Sequence, residues 1–257
     1  SSNRATFDGL MKYAEIKTIR QHRQLSLIEP QRTTMATSAP QAIEPNILHV
    51  LADQVWTLGY TGEGLVVANV DTGVRYSHNA LVNQYRGNLG GSFDHNYNWW
   101  DPYGDHPTSP ADDNGHGTHT MGTTVGDDGG ANRIGMAPGA QWMACRACNT
   151  NDCTDTALLE CAQFIAAPWD LNKANANPDK RPNVVNNSWG DCSRSYDPWY
   201  QDAVDAWLAA GIYPVFSNGN NSNCGYPAPP GLNTVGNPAR YGNVTGVGSS
   251  GRDNGQY

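Results

Sequence analysis

The chain has 257 residues, 16 Lys+Arg against 24 Asp+Glu, and a formal net charge of −8 at pH 7. This length accommodates one large domain, or one domain with a short appendage. The acidic balance argues against a nucleic-acid-binding protein, which needs a basic surface to neutralise phosphates. Apolar runs are too short for a transmembrane helix, which needs about 18 residues. Because the chain begins at Ser1 without an initiator Met or signal peptide, we expect a processed product or a fragment.

Residues 1–45 differ from the rest of the chain. They hold many of its basic residues, namely Arg4, Lys12, Lys17, Arg20, Arg23 and Arg32. The stretch from Gln24 to Pro30 predicts a short strand that ends at the proline. Residues 31–45 are rich in Thr, Ser, Ala and Pro, which is typical of a linker. The sequence therefore predicts an N-terminal extension over 1–45 and a domain over 46–257.

From residue 46 onward, predicted strands and helices alternate. The strands are 65–70, 141–147, 183–185, 212–216 and 244–247, and the helices are 116–125, 154–167 and 199–210, the last followed by Gly211. Such alternation predicts right-handed crossovers and an α/β fold, a three-layer, doubly wound, mostly parallel sheet. The long polar connections 84–115 and 217–243 are expected to be surface loops with functional content.

Six cysteines lie in the second half of the chain: Cys145, Cys148, Cys153, Cys161, Cys192 and Cys224. The pair Cys145 and Cys148 has the C-x-x-C spacing of a zinc site, but it lacks a second pair or a histidine at the distance that such sites use. An even number of cysteines favours disulfides formed in an oxidising compartment. A short loop such as 148–153 is one that a disulfide can close, although the sequence does not give the pairing.

Polar segments follow three of the predicted strands. They are Asp71-Thr72-Gly73, Asn186-Asn187-Ser188-Trp189-Gly190 and Ser217-Asn218-Gly219-Asn220. In parallel sheets, binding sites lie beyond the carboxyl ends of the strands. The sequence therefore predicts a cleft at this edge.

Two acid–base candidates stand out, and each has an ordinary structural explanation. An Asp after a strand, such as Asp71, is more often a turn former or helix cap. His116 and His119, in the segment His116-Gly117-Thr118-His119, are readily explained as two packed histidines. A metal site is a further alternative, although the segment lacks the HExxH form and its general-base Glu.

The two segments taken together resemble the subtilisin-like serine proteases (subtilases). In that family, Val-x-Asp-Thr-Gly or a near variant carries the catalytic Asp, and His-Gly-Thr-His carries the catalytic His; here Asn69 stands where an apolar residue is common. The resemblance continues in Gly135-Met136-Ala137-Pro138 and in the polar segments at 186–190 and 217–220, and it covers about 46–257. Within the family, 184–190, Asn237-Pro238-Ala239 and 59–81 are most similar to bacillopeptidase F-type members, from which the six cysteines are a departure.

The resemblance implies roles for particular residues. Asp71 and His116 match two members of the Asp-His-Ser triad, Asn220 matches the oxyanion-hole asparagine, and His119 matches a structural histidine. Without the resemblance, Asn220 is best explained as part of a turn. Ser188, Trp189 and Gly190 match the strand that pairs with an extended peptide substrate. Ser217, Asn218 and Gly219 match one wall of the primary specificity pocket. This wall contains neither Asp nor Glu, so nothing in it indicates a strict preference for substrates with basic side chains.

The resemblance also implies a catalytic serine, and the segment that carries it in the family is absent from this sequence. The family's nucleophile lies in a Gly-Thr-Ser-Met-Ala segment, and none occurs in this sequence. Ser249 and Ser250 do not lie in a nucleophile elbow. We therefore expect a C-terminally incomplete catalytic domain that is inactive by itself, from a serine endopeptidase. The alternatives are an inactive peptide-binding pseudoprotease on the same fold and an unrelated metallohydrolase that uses His116 and His119.

Expectations about partners, cofactors and location follow from the resemblance. The expected partners are polypeptide substrates and an inhibitory propeptide. The residues around Leu27-Ile28-Glu29-Pro30 resemble the end of a subtilase propeptide. Catalysis is expected to need no cofactor, and we assign no metal ligands. A structural calcium stays an alternative, since Ala80 replaces the family's ligand, while Asp127 and Asp128 offer oxygen atoms elsewhere. Family and cysteine usage predict an extracellular or secretory-pathway protein.

Overall fold

The fold is described from a computed structural model of the chain. It describes residues 9–14, 16, 18–20, 22–28, 43–130, 132–150, 152–220, 224–226 and 231–249. None of the helices in these ranges is both long and apolar enough to cross a membrane.

A parallel sheet forms the centre of the described domain. Its six strands, in spatial order, are β3 (Trp99–Trp100), β4 (Gln141–Arg146), β2 (Val66–Asp71), β6 (Val184–Asn187), β8 (Tyr213–Ser217) and β9 (Thr245–Val247). Every neighbouring pair is parallel. The central strand β2 is buried from Val67 to Asp71 because helices cover both faces of the sheet. The predicted α/β fold with a parallel sheet is therefore confirmed.

Helices precede the sheet and connect its strands. They are α1 (Pro45–His49), α2 (Ala52–Thr57), α3 (His116–Val125), α4 (Asp155–Ala166) and α5 (Gln201–Ala209), with a 3-10 turn at Pro178–Lys180. One apolar cluster packs α4 and α5 against the sheet around Phe164 and Trp207. The other packs α3 around Met121 and Trp142. Gly211 follows α5 with a φ of 78°, as its predicted position beyond the end of a helix requires.

A second, smaller sheet lies at the carboxyl edge of the first. Its order is β5 (Asp152–Thr154), β1 (Gln24–Leu27) and β7 (Trp189–Gly190), and both pairings are antiparallel. The predicted N-terminal strand is thus confirmed, and it fills the space between two strands of the domain. We call β5 and β7 together the strand slot.

Most element predictions are confirmed, with ends that differ by one or two residues. The prediction for the connection 84–115 was wrong in one respect, because that connection includes β3, which pairs with β4 at Trp99↔Ala144. The short elements α1, α2, β5 and β7 were not predicted. The linker predicted at 31–45 lies mostly outside the described residues, as do parts of the connection 217–243. The division of the chain between 45 and 46 stays a prediction.

The expectation of disulfides is confirmed. The pairs are Cys145–Cys161, Cys148–Cys153 and Cys192–Cys224. Cys145–Cys161 joins β4 to α4, and Cys148–Cys153 ties β5 to the chain that leaves β4. Cys192–Cys224 connects the chain after β7 to the segment after Asn220. The sulfurs of Cys145 and Cys148 are thus in disulfides rather than on a zinc ion.

Candidate active site

The cleft predicted at the carboxyl edge of the sheet contains the residues expected there. Asp71 is the last residue of β2, Ser188 follows β6, and Ser217 is the last residue of β8. Because β2, β6 and β8 are parallel and lie together in the sheet, their ends face the same side.

Asp71 and His116, which we call the catalytic pair after the roles that the resemblance implies for them, are joined by a hydrogen bond. Nδ1 of His116 lies 2.6 Å from Oδ1 of Asp71, and the two residues are 4% and 0% exposed. The same Asp71 oxygen accepts the Thr72 backbone N–H at 2.7 Å, and Oδ2 accepts the Thr120 hydroxyl at 3.2 Å. The turn-forming explanation of Asp71 is therefore correct as well, and the same contacts fix its carboxylate toward the imidazole.

The beginning of α3 determines where the imidazole lies. Gly115 precedes the helix with a φ of 95°, a backbone conformation that favours glycine. A Cβ on Gly117 would lie 2.0 Å from the Gly73 carbonyl oxygen, so the helix approaches the Asp71 turn closely only with glycine there. Asp112 accepts hydrogen bonds from the Gly115 and Thr118 backbone N–H groups at 2.8 Å each. These contacts hold the first turn of α3 beside the end of β2.

Asn69, the departure from the family pattern, is buried and forms hydrogen bonds to two neighbouring elements. Its side-chain amide donates to the Gly117 carbonyl at 3.1 Å and to the Thr120 hydroxyl at 3.0 Å. Its oxygen accepts from the Asn186 side chain at 2.8 Å, and Asn186 also donates to the Ser188 hydroxyl at 3.0 Å. A polar chain thus connects β2 to α3 and to the residue before β7.

The N-terminal strand enters the cleft as an extended peptide and reaches the catalytic pair. Ser26 lies opposite Gly190, Leu27 lies opposite Trp189, and the Ile28 N–H donates to the Ser188 carbonyl at 3.0 Å. The Ile28 carbonyl oxygen lies 3.0 Å from Nε2 of His116. The backbone of the strand thus lies within hydrogen-bonding distance of one ring nitrogen of His116, while the other ring nitrogen contacts Asp71.

The residues expected to line the specificity pocket surround Ile28. Ser217, Asn218, Gly219 and Asn220 line a cavity of about 350 Å³ together with Ile28. A second cavity, of about 260 Å³, is lined by Ile28, Ser217, Ser188 and His116. Trp189 is fully buried, packing edge-on against Tyr200 and Phe216, and so holds the backbone of β7 in place. The structure therefore brings His116, Ser188 and the segment 217–220 together around Ile28.

His119 is exposed on α3 and lines the second cavity. The expectation of two packed histidines is thus wrong for His119. Among the residues that the structure describes, no group of three or more His, Cys, Asp or Glu side chains is arranged to hold a metal ion. Asp127 instead pairs with Arg133, and its backbone carbonyl accepts from Gln84. The structure therefore gives no support to a metal site at His116 and His119.

Arg146 is a buried residue of the site region that the sequence did not reveal. It lies opposite Asp71 in the β2–β4 register and is 3% exposed. Its guanidinium contacts Asp105 at 2.9 Å and Asp101 and Asp113 at 3.4 Å. Burial lowers the pKa of Arg146, but the hydrogen bonds and charges of Asp105 and Asp101 outweigh this effect and raise it. Arg146 stays charged and ties the loop after β3 to the sheet.

Comparison with known proteins agrees with this geometry. The family model described as "Subtilase family" matches residues 62–257. The chain belongs to the subtilase family. Bacillopeptidase F of Bacillus subtilis (strain 168) is 38% identical over 250 residues, which cover 93% of this chain and 17% of that protein.

Two further relatives match with lower identity. The minor extracellular protease Vpr of the same organism is 31% identical over 204 residues, 79% of this chain and 22% of that protein. Subtilisin DY of Bacillus licheniformis is 29% identical over 210 residues, 81% of this chain and 65% of that protein. The chain thus spans less than a quarter of the length of the first two relatives. The resemblance to the subtilases, and to bacillopeptidase F within them, is confirmed.

Proposed function

We propose that this chain is part of a serine endopeptidase that hydrolyses peptide bonds, and that it supplies the Asp and the His of the triad. The observation that carries the proposal is the buried pair Asp71–His116, with Nε2 of His116 directed at the carbonyl of a peptide strand in the cleft. Membership of the subtilase family supports the same conclusion. The group that the reaction still requires is a serine in a Gly-Thr-Ser-Met-Ala segment.

In this proposal, Asp71 and His116 act as an orienting acid and a general base. The carboxylate accepts the Nδ1–H of the imidazole and so leaves Nε2 to take the proton of the serine hydroxyl. The serine oxygen then bonds to the carbonyl carbon of the substrate. The imidazolium that results is stabilised by Asp71 and gives its proton to the leaving amine. The acyl-enzyme is released by water through the same exchange of a proton.

Asn220 is proposed to stabilise the oxyanion, and the adjoining residues to bind substrate. Asn220 lines the same cavity as Ile28, near the carbonyl on which negative charge develops. In subtilisin, a member of the same family, an amide donor at such a position is known to contribute about 3–4 kcal/mol to the stability of the transition state. Ser188 to Gly190 pair with the peptide backbone, and Ser217 to Gly219 form a neutral wall beside the side chain at the position of Ile28.

The N-terminal strand is proposed to be an inhibitory segment. It pairs with both strands of the strand slot, and its Leu25 and Leu27 side chains are only 3% and 2% exposed. A substrate needs the same backbone partners, so the segment and a substrate exclude each other. Extracellular relatives such as Vpr, together with three disulfides, support secretion of the protein.

The test of the proposed function uses the full-length protein that contains this chain. We expect it to hydrolyse casein and to react with a fluorophosphonate probe, and we expect His116→Ala to abolish both. The 257-residue chain alone is expected to do neither. If the full-length protein neither hydrolyses casein nor binds the probe but still binds extended peptides, the endopeptidase proposal is wrong and the chain is part of a peptide-binding pseudoprotease.

A further inference from the structure

The residues just upstream of β1 are bound to the domain by charged side chains as well as by backbone hydrogen bonds. Arg20 and Arg23 both form ion pairs with Asp197, the first at 2.9 Å between Nη1 and Oδ1. The backbone N–H of Arg23 donates to Oδ2 of Asp155 at 3.0 Å, and Nδ1 of His22 contacts the other oxygen of that carboxylate. Asp155 and Asp197 therefore contact three basic residues of the described segment, Arg20, His22 and Arg23.

Asp197 is held in place by the domain and not by the arginines. Its backbone N–H donates to the Asn237 side chain at 3.2 Å, and its carbonyl accepts the Tyr241 hydroxyl at 2.7 Å. Burial raises the pKa of Tyr241, so the phenol keeps the proton that it donates. The Trp199 N–H donates to Oδ1 of Asp197 at 3.2 Å. The carboxylate therefore stays at this place when the segment leaves.

Asp155 is positioned by its helix, and its backbone N–H also donates to the Arg23 carbonyl of the segment at 3.3 Å. It is the first residue of α4, whose preceding residue Thr154 accepts the Ala157 N–H at 3.2 Å through its side chain. A carboxylate in the first turn of a helix is favoured by the helix dipole. Thr154 itself is the last residue of β5, so this carboxylate adjoins the end of the strand slot.

The charges of the two parts of the chain are complementary. Residues 46–257 carry ten Lys+Arg against twenty Asp+Glu, whereas residues 1–45 carry six against four. Complementary charge steers a basic peptide toward an acidic surface and fixes its orientation there.

We propose that Asp155 and Asp197 form a distal binding site for basic side chains of the peptides that enter the cleft. This inference rests on the proposed function, which makes the cleft a substrate site. Arg23 and Arg20 stand five and eight residues before Ile28. The favoured peptide class thus has apolar side chains at the positions of Leu25 and Leu27 and basic side chains farther upstream. Basic side chains of a peptide are thus selected at Asp155 and Asp197 and not at the neutral wall formed by Ser217–Gly219.

The experiment measures peptide binding to the full chain with its own strand displaced. Leu25→Glu and Leu27→Glu together would bury two charges if β1 stayed in the slot, so we expect them to expel it. A fluorescent peptide of residues 18–28 is then titrated, alongside a matched peptide in which both arginines are replaced by glutamine. We expect the basic peptide to bind about tenfold more tightly at low salt, as two exposed ion pairs allow.

The controls separate this site from general electrostatic attraction. Asp155→Asn with Asp197→Asn is expected to abolish the difference between the two peptides, whereas Asp179→Asn, at a highly exposed aspartate elsewhere, is expected to preserve it. Raising NaCl to about 1 M, where the Debye length is about 3 Å, is also expected to remove it.

Equal affinity of the two peptides, a difference that survives Asp155→Asn with Asp197→Asn, or failure of both peptides to bind overturns the distal site. Because binding requires no hydrolysis, these outcomes are distinguishable from failure of the proposed function. That failure is observed separately, as the absence of fluorophosphonate labelling in the full-length protein.

Discussion

The catalytic pair and the strand slot lie side by side but are held in different ways. Asp71 and His116 are buried, and their positions depend on hydrogen bonds among β2, α3 and β6. The slot consists of strands of three and two residues, and disulfides adjoin both. Proton transfer needs a fixed geometry, whereas a peptide site has to open and close. In the proposed function, proton transfer therefore depends on the parallel sheet, whereas peptide binding depends on β5 and β7 and on the disulfides next to them.

The largest expected effect breaks the catalytic pair and leaves the slot intact. In the full-length protein, Asp71→Asn is expected to lower kcat by about four orders of magnitude, the loss known for the equivalent change in a trypsin-like serine protease, because the imidazole then adopts the wrong tautomer. The measurement is peptide hydrolysis, with Asp179→Asn as the control. Similar losses in both variants, or slower binding of peptides to Asp71→Asn alone, would contradict the separation of the two regions.

The next prediction concerns the polar network beneath the pair. Asn69→Leu is expected to lower the free energy of unfolding by about 2 kcal/mol, because it removes the hydrogen bonds that the buried Asn69 side chain forms with Gly117, Thr120 and Asn186. The measurement is urea denaturation of the chain. The double variant Asn69→Leu with Asn186→Leu removes both side chains of one contact and is expected to regain part of the loss. If the two single changes instead add fully, Asn69 and Asn186 do not act through each other.

The third prediction breaks the slot and leaves the pair intact. Cys148→Ser with Cys153→Ser is expected to lower stability by up to about 2 kcal/mol, since the bridge closes only a short loop. Because Cys153 lies opposite Leu25, hydrogen exchange of the Leu25 and Ile28 amides is expected to quicken, while amides of β2 keep their protection. The matched control is Cys145→Ser with Cys161→Ser, which loosens α4 instead. Faster exchange throughout β2 in the first variant would refute the distinction.

The same contrast explains which features the sequence revealed. Strand β2 is a nearly continuous apolar run and α3 begins in a glycine-flanked turn, so local pattern is sufficient to predict both elements, whereas the roles of Asp71 and His116 were implied only by the family resemblance. Strands β5 and β7 have too few residues for a period to be recognised, and both pair with β1, which lies far from them in the chain. Pairing between residues far apart in the chain leaves no local signal.

Individual residues of the site follow the same rule. Asn69 is recognisable in the sequence as a departure from the family pattern, but its role depends on Thr120 and Asn186, which adjoin it only in the folded chain. The contacts of Arg146 with three aspartates of the loop after β3 have the same origin. Asp155 and Asp197 lie in ordinary polar stretches of the sequence, and only their contacts with Arg20 and Arg23 in the folded chain indicate a binding site.

The smallest expected effect concerns the charged end of the segment. Burial raises the pKa of Asp197, but hydrogen bonds and charge from Arg23 and Arg20 outweigh it and hold the pKa below its usual range. A carboxylate whose pKa is lowered on folding stabilises the folded state at pH values above its unfolded pKa, which is about 3.9. This stabilisation is lost as the pH falls through the pKa that the group has in the folded state. For exposed ion pairs, this contribution is less than about 1 kcal/mol.

We therefore expect Asp197→Asn to be slightly less stable than the unaltered chain at about pH 7, and we expect this difference to disappear as the pH falls through the lowered pKa of Asp197. The measurement is the difference in urea midpoint between the two proteins as a function of pH, with Asp179→Asn as the control. Hydrogen exchange at Leu25 is expected to follow the same curve, since losing the upstream ion pairs frees the strand to open. A difference that stayed constant with pH would show that the substitution does not act through the charge of Asp197.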